Sequence, residues 1–533
     1  MTTTPLPVRA PPRHWRRAPS PPLLAAALVV AAVCLVPPLY LLVRVADDPA
    51  RALDALAARS TLDVAVRTLG FALAVAGGGV AIALPMAWLV ERTDLPARRI
   101  VGTLAVLPLA VPSYVGALVF LAALGPRGML QGALAPLGVD RLPAIYGFWG
   151  ATLVLTLFTY PYLLMTLRPA LAAADPRLEE LSRTFGYGRG TTFRRLVLPQ
   201  LRPALISGCL LIALYALSDF GGPSLMRFDS FTRVIYIRYE SSFDRTGAAA
   251  LAAALAAMAL ALVAIDVWTR GRQRYDAVRG GGRPPARVAL GRWRWAAVAF
   301  VALVLGLALA LPLGVLGYWF ARAATDGLVP PTLWRAATGS VVVSGFAAAL
   351  TAAAALPVAI LGVRYRGLLL ARVSEVLSYT GYALPGLVVA LALVFAAVRF
   401  GSLYQSHALL VIAYALHFLP QAVGATRVAL LQVRPSMEDA ARGLGRRPRE
   451  VLTSITLPLA ARGVLAGAAL VFLTTIKELP ATLLLAPPGF QTLATRVWST
   501  TNDARYAEAA IPALLLIAVS ALALGLLQPA ARR

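Results

Sequence analysis

The chain has 533 residues, of which 59% are hydrophobic and only 14% are charged. Soluble domains average about 25% charged residues, so this composition excludes an ordinary soluble protein. Apolar runs of about 18 residues or more, long enough for the hydrocarbon core of a bilayer, recur along the chain and predict an all-α polytopic membrane protein. The formal net charge of +26 is explained by basic loops on the cytoplasmic side of such a protein, and we expect no nucleic-acid partner.

Residues 1–20 form a proline-rich basic tail. The apolar run that follows begins at Pro21 and ends near Val45. It is about twice as long as the core of a secretory signal, so we predict an uncleaved first transmembrane helix embedded in lipid. Six spans are predicted before a hydrophilic linker at residues 271–294 and six after it. The predicted spans lie near residues 21–45, 62–90, 101–124, 146–167, 204–220, 247–269, 295–320, 338–363, 375–398, 407–427, 463–480 and 508–528.

The basic residues predict the orientation of these spans. If the amino terminus lies inside, 34 lysines and arginines fall on the cytoplasmic side and 13 on the other. Cytoplasmic loops of membrane proteins are enriched in these residues, so we expect both termini to be cytoplasmic. The predicted domains are the cytoplasmic tail (1–20), a first transmembrane domain (21–270), the cytoplasmic linker (271–294) and a second transmembrane domain (295–533).

One polar, arginine-rich island interrupts each half of the chain. The first island covers residues 175–203 and the second covers residues 434–462, both on the predicted cytoplasmic side. Adding 259 to a number in the first island gives its counterpart in the second, and we expect the same register to continue without a gap beyond the islands. This repetition indicates one structural unit present twice. The matched pairs include Glu179 and Glu438, Glu180 and Asp439, Gly186 and Gly445, Pro199 and Pro458, Asp219 and Glu478, and Phe231 and Phe490.

Each island predicts a helix, a turn and a second short helix. Proline at the first helical position begins the first helix, and the glycine found at the same position in both islands ends it. We expect carboxylates and arginines to point outward, and the Leu-Pro pair to reorient the chain before it re-enters the membrane. A solvated loop would explain one such island. Two matching islands favour a paired docking surface for a dimeric partner.

The pattern E-E/D-small-small-R-x-x-G, followed by Leu-Pro, resembles the EAA loop of binding-protein-dependent ABC importer permeases. In that family the loop forms a coupling helix that docks on the cytoplasmic ATPase. The resemblance implies two tandem six-helix transmembrane domains of type I, with twelve helices in all. It assigns ATPase coupling to Glu179, Glu180, Gly186, Pro199, Glu438, Asp439, Gly445 and Pro458.

Residues 107–120, 218–236 and 477–499 resemble one branch of this family, the fused twelve-span permeases of ferric-iron import. This implies a multi-pass permease of the inner membrane that receives ferric iron from a periplasmic or lipid-anchored binding protein. Thiamine and 2-aminoethylphosphonate permeases share the fused plan and stay open as alternatives. A secondary transporter driven by an ion gradient is disfavoured, because the repeat here is parallel rather than inverted.

The chain contains one lysine, Lys477, and no G-x-x-x-x-G-K-[ST] loop that could cradle a nucleotide. We therefore expect no catalytic residue and no cofactor bound by this chain. ATP with magnesium would bind to a separate ATPase subunit, present in two copies. The three histidines, His14, His407 and His417, do not converge with other ligands in the sequence, so we predict no metal site.

Two further sets of residues are candidates for function. Asp219 and Glu478 occupy equivalent positions at the outer ends of two spans, where a carboxylate is costly unless it faces a cavity or a partner. They predict a transient binding site that offers hard oxygen ligands to a cation, and the alternative is that they cap helices locally. The outer loops, residues 221–246 and 481–507, predict either a docking surface for the binding protein or an aromatic belt. The docking candidates are Phe231, Arg233, Phe490, Arg496 and Trp498.

Overall fold

The computed structural model describes residues 19–173, 181–182, 184–242, 244–271, 287–327, 332–399 and 401–527. This part of the chain is helical, apart from turns and one isolated β-bridge between Thr93 and Val288. Helices satisfy their own backbone hydrogen bonds, which an apolar chain in lipid requires. The helices of the first half are α1 (Pro21–Asp47), α2 (Pro49–Ala57), α3 (Arg59–Arg92), α4 (Arg98–Leu104), α5 (Ser113–Leu124), α6 (Met129–Leu134), α7 (Phe148–Ala173), α8 (Arg189–Thr192), α9 (Leu198–Ser218), α10 (Gly221–Leu225), α11 (Phe231–Glu240) and α12 (Arg245–Gly271).

The second half repeats this order of elements. Short 3₁₀ turns lie at Leu107–Ala110, Ala135–Leu137, Gly291–Trp293 and Gly401–Leu403 in the whole described chain. The helices of the second half are α13 (Arg294–Leu305), α14 (Leu311–Thr325), α15 (Thr332–Arg364), α16 (Leu369–Ser378), α17 (Thr380–Ala383), α18 (Gly386–Val398), α19 (His407–Gln432), α20 (Pro435–Gly443), α21 (Pro448–Val451), α22 (Leu457–Thr475), α23 (Pro480–Leu485), α24 (Leu493–Asn502) and α25 (Tyr506–Leu527).

Eleven helical segments in the described residues are long and apolar enough to cross a membrane. The twelfth apolar helix, α18, has only 13 residues and matches α5 of the first half, which has 12. These twelve segments agree with the six plus six predicted from hydropathy. The prediction of an all-α polytopic membrane protein is confirmed over the part of the chain that the structure describes.

The third and ninth predicted spans, 101–124 and 375–398, are not continuous helices. Pro112 and Pro385 lie immediately before α5 and α18 in extended conformation, with ψ of 149° and 143°. A proline has no N–H for a helical hydrogen bond, and the residue before it avoids helical geometry, so each predicted span breaks there. The helices that follow the breaks are apolar on all sides and almost wholly buried, as expected for helices in a core.

The prediction of a separate second segment that ends at Pro199 and at Pro458 is wrong. Five-residue π-helical turns at Phe193–Val197 and Leu452–Thr456 lead directly into α9 and α22. The wider turn accommodates the hydrogen bond that each proline cannot make, so the helix continues through it. The second segment of each island is therefore continuous with a membrane helix.

The ungapped register predicted from the islands fails in the outer loops. Ser230 caps the start of α11 and Thr492 caps the start of α24, a separation of 262 residues rather than 259. The structural counterpart of Phe231 is therefore Leu493, not Phe490. Three additional residues in the second loop shift the register without changing the order of helices.

Equivalent hydroxyl groups hold the starts of these two outer helices. The backbone N–H of Phe231 donates to Oγ1 of Thr68 on α3 at 3.1 Å. The N–H of Leu493 donates to Oγ of Ser340 on α15 at 2.7 Å. Both hydroxyls are buried, so each bond fixes an otherwise unpaired N–H at a helix start. The contact confirms that α11 and α24 are counterparts.

The chain groups into two compact units. One unit combines Met1–Val36, Phe346–Tyr382 and Ala415–Phe472, and the other combines Pro37–Gly345, Ala383–Tyr414 and Leu473–Arg533. In the second unit α3 packs against α7 and α9, and α18 packs against α23. The core of the first unit contains small and branched apolar side chains that let its helices approach closely. They are Ala359, Ile360, Ala429, Leu430 and Ala460.

Candidate functional site

The second island forms the predicted first helix as α20, with Pro435 at its first position. Proline suits this position because its fixed φ is helical and the missing N–H would be unpaired there. Glu438 lies in the first turn, where the helix dipole favours a carboxylate. Glu179 and Glu180 of the first island lie outside the described residues.

A left-handed glycine ends the first segment of both islands. Gly186 has a φ of 79° and Gly445 a φ of 83°. The N–H of Tyr187 donates to the carbonyl of Ser182, and the N–H of Arg446 donates to that of Ala441, both at 3.1 Å. These are the hydrogen bonds of a Schellman helix end, which favours glycine. No heavy atom lies within 4 Å of a Cβ built at either glycine, so backbone conformation rather than space selects the residue.

An exposed apolar side chain precedes each of these glycines. Phe185 is 72% exposed and Leu444 is 86% exposed, and the two positions are related by the repeat. Met437 on α20 is also exposed. Exposed large apolar side chains at matching positions are typical of a protein–protein contact. The sequence analysis did not single out these residues.

The carboxylate of Glu438 points inward, so the expectation that the island's carboxylates point outward is wrong for this residue. Glu438 is 3% exposed, and its Oε1 accepts hydrogen bonds from Nη2 of Arg364 at 2.8 Å and from Oγ1 of Thr456 at 2.9 Å. The next residue, Asp439, is 53% exposed and pairs with Arg442 at 3.3 Å. Two adjacent carboxylates on one helix therefore have different surroundings.

Asp219 and Glu478 both cap short helices. Oδ2 of Asp219 accepts from the N–H of Gly222 at 3.1 Å, at the start of α10. Oε1 of Glu478 accepts from the N–H of Ala481 at 3.3 Å, at the start of α23. Oδ1 of Asp219 also accepts from the hydroxyl of Ser113 at 2.6 Å. The local capping that was considered as an alternative is present in both repeats.

Further polar groups surround this acidic pair. Nζ of Lys477 donates to the carbonyl of Leu109 at 3.1 Å, and the Lys477 carbonyl accepts from the hydroxyl of Tyr114 at 3.3 Å. Ser113, the donor to Asp219, precedes Tyr114, and Lys477 precedes Glu478. The second repeat thus contacts the segment before α5 and the first turn of α5, next to the two carboxylates.

A family model described as "Binding-protein-dependent transport system inner membrane component" matches residues 79–274 and 353–533. The two matches cover most of the chain, and each contains one island. The chain belongs to this family. It is a tandem permease of the inner membrane, consistent with its apolar helices.

Relatives of this permease are named for several cargoes. It is 31% identical over 509 residues to the Fe(3+)-transport system permease protein FbpB 2 of Haemophilus influenzae. The matched region covers 94% of this chain and 96% of that protein. It is 24% identical over 443 residues to the ferric transport system permease protein FbpB of Actinobacillus pleuropneumoniae, covering 78% and 63%. It is 30% identical over 186 residues to the sulfate transport system permease protein CysT of Salmonella typhimurium, covering 34% and 66%.

The outer candidates of the permease differ in exposure. Phe231 is 1% exposed, so its assignment to a docking surface is wrong. Phe490 packs edge-on against the ring of His407, and Trp498 packs against Phe220, with centroids 4.8 and 5.1 Å apart. Both rings are half-buried and contribute mainly to packing.

Arg233 and Arg496 stay predicted contacts for the binding protein. Each follows a threonine and precedes a valine, near the start of α11 and of α24 respectively. The Arg233 guanidinium pairs with Asp229, and Nη1 of Arg496 donates to Gln491 at 3.2 Å. Both arginines are half-buried.

Sequence reasoning missed the partners of the permease's buried carboxylates. Arg364 and Ser113 lie far along the chain from the acids that they contact, and Thr456, 18 residues from Glu438 in the same island, forms no motif with it. The sequence did contain one signal. The triplet A-L-P occurs at residues 83–85 and 355–357, and aligning the two copies makes Arg364 the counterpart of Arg92 in the first repeat. Arginine at both positions indicates a shared role at the ends of α3 and α15.

Proposed function

We propose that this permease moves ferric iron, delivered by a binding protein, across the inner membrane. The observation that supports the cargo is the 31% identity, over 94% of the chain, to a relative named for Fe(3+) transport. The match to a relative named for sulfate covers only 34% of the chain. We call Asp219, Glu478, Ser113 and Tyr114 the outer cluster. Its carboxylate and hydroxyl oxygens suit a hard cation better than an oxyanion.

Uptake assays test this cargo. Cells lacking the permease gene would be compared with cells carrying it on a plasmid, using radiolabelled ferric iron, sulfate, thiamine and 2-aminoethylphosphonate. We expect iron uptake alone to depend on the permease. Normal iron uptake in the deletion strain, together with loss of one of the other three activities, would contradict the proposed cargo.

Energy in this proposal comes from two copies of a separate ATPase on the cytoplasmic side. The family description implies a binding protein, and the repeated islands provide two matching docking segments. Phe185 and Leu444 fit an apolar groove of the ATPase, and Asp439 with Arg442 supplies charged contacts beside it. Glu179, Glu180, Gly186 and Gly445 belong to the same segments, and Pro199 and Pro458 join them to membrane helices.

The outer cluster is the proposed entry to the pathway. Asp219 and Glu478 are half-buried and paired with neutral donors rather than with arginine within 4 Å in the described residues. A carboxylate without a cationic partner keeps its attraction for a passing cation. Capping and transient cation binding are compatible here, since a carboxylate has about four acceptor sites.

Replacing Asp219 with Asn and Glu478 with Gln in one protein tests the pathway. Both amides can still accept a hydrogen bond from the capped N–H, so the fold should be kept while the negative charge is lost. We expect iron uptake to fall about thirtyfold, since each of the two lost charges weakens cation binding by about 1 kcal/mol. The control is Asp326→Asn, which removes an exposed carboxylate elsewhere. Unchanged uptake at normal protein level would remove these residues from the pathway.

A further inference from the structure

Glu438 connects three structural elements within one compact unit. Its own helix, α20, is the first segment of the second island. Arg364, which holds its carboxylate, is the last residue of the membrane helix α15. Thr456, the second donor, is the last residue of the π-helical turn that continues into α22. One buried carboxylate therefore links α20 to the ends of two membrane helices.

The same arginine also fixes the entry to α20. Nη2 of Arg364 donates to the carbonyl of Val433, just before the helix, at 3.2 Å as well as to Glu438. The Arg364 side chain is only 9% exposed, so solvent screens this contact little. Arg442 approaches the second carboxylate oxygen of Glu438 at 3.8 Å. A buried carboxylate with this many donors is held in one position.

Asp439 provides a natural comparison. It is the next residue on α20, yet its carboxylate faces solvent and its partner Arg442 is partly exposed. An exposed pair of this kind contributes little to the fold and is free to be replaced by contacts with another protein. The inward carboxylate has no such freedom, because breaking its contacts leaves a buried charge unpaired.

We propose that Glu438 is a positioning residue that transmits movement of α20 to α15 and α22, while Asp439 is the carboxylate that contacts the ATPase. The inference rests on the proposed function, because it assumes an ATPase docked on the islands. A displacement of α20 by the ATPase moves Glu438, and the hydrogen bonds from Arg364 and Thr456 carry that displacement into the two membrane helices.

The test uses the purified complex of permease, ATPase and binding protein in proteoliposomes, with Glu438→Gln and Asp439→Asn as matched variants. Two quantities are measured: the amount of ATPase that co-purifies, and the stimulation of ATP turnover by the binding protein. Neither depends on the cargo. We expect Glu438→Gln to retain the ATPase but to lose stimulation by about tenfold, because the amide oxygen can still accept from Arg364 and Thr456 while the negative charge that strengthens both hydrogen bonds is lost. We expect Asp439→Asn to weaken ATPase retention and to keep the stimulation of the complexes that remain.

Two further variants guard against a simple loss of folding. Thr456→Val removes one donor and leaves the ion pair, so a well-folded complex with a smaller loss of stimulation is expected. In a double-mutant cycle, Arg364→Gln added to Glu438→Gln should cost little more than either change alone, because each change removes the same ion pair. If Glu438→Gln instead releases the ATPase as Asp439→Asn does, or leaves stimulation unchanged, the inference is overturned. Failure of the unaltered permease to retain any ATPase would contradict the proposed function instead.

Discussion

At the scale of single residues, the two island glycines show how strictly a backbone position can select a side chain. Gly186 and Gly445 share a left-handed φ near 80°, and nothing crowds their missing Cβ atoms. L-residues avoid this region because Cβ approaches the following carbonyl oxygen. The glycine is therefore required by the turn that ends each helix, and it sets the direction in which the exposed side chain before it points.

Gly445→Ala should lower the free energy of unfolding of the permease by about 1–2 kcal/mol, the cost of a left-handed L-residue. Gly443→Ala is the control, because Gly443, the last residue of α20, has no positive φ and has open space at its Cβ, so alanine there should be neutral or stabilising. The loss of helical circular dichroism as sodium dodecyl sulfate is added to purified permease measures both. Equal stability of the two variants would show that the left-handed φ at Gly445 does not disfavour alanine.

At the scale of elements, equivalent contacts are made by different helices in the two repeats. Arg168 on α7 pairs with Glu91 on α3 at 2.6 Å. Its counterpart Arg427 on α19 pairs with Glu375 on α16 at 2.5 Å. The arginine is kept at the same register position, while its carboxylate has moved to another helix. Each repeat therefore pairs a part-buried arginine with a carboxylate, and the carboxylate can come from either helix.

The exposed apolar residues before the island glycines should hold the ATPase. Phe185→Ser and Leu444→Ser together remove two apolar anchors, each worth about 1.5–3 kcal/mol when buried by a partner. We expect association of the ATPase to weaken by at least about a hundredfold, with unchanged stability of the permease alone. Retention of the ATPase on immobilised permease measures the effect. Leu459→Ser, an exposed apolar residue on α22, is the control, and an equal loss with that variant would count against a specific contact.

At the scale of the whole molecule, the second half of the chain repeats the order of helices of the first half. Each half contributes one island, one broken span before an apolar buried helix, and one acid that caps a short outer helix. Equivalent elements in both halves suit a partner that is itself present twice. This parallel duplication differs from the inverted repeats of many gradient-driven transporters.

Iron uptake should follow ATP and not an ion gradient. In proteoliposomes containing the permease and its ATPase, with the binding protein supplied outside and ATP inside, a protonophore should leave uptake unchanged. Replacing ATP with a non-hydrolysable analogue should abolish it, because the proposed energy source is hydrolysis on the partner. Uptake that persists with the analogue and stops with the protonophore would instead support a secondary transporter.

The sequence alone determined the membrane spans, the tandem repeat and the glycine turns of the islands. These depend on apolar segments long enough for a bilayer and on the conformational preferences of single residues, both of which act locally. The same local reasoning found Asp219 and Glu478 as a repeated pair and included capping among their roles. It failed at the outer loops, because three extra residues change the register without any local mark.

Only the tertiary structure decided which carboxylates face inward. Glu438 and Asp439 are adjacent acids on one helix, and the sequence treats them alike. Glu438 is buried because Arg364, 74 residues away, neutralises its charge and Thr456, 18 residues away, donates a hydrogen bond to it. A buried charge needs such partners, and their position depends on how the helices pack rather than on any neighbouring residue. That difference in packing separates the acid that positions α20 from the acid that is available to a partner.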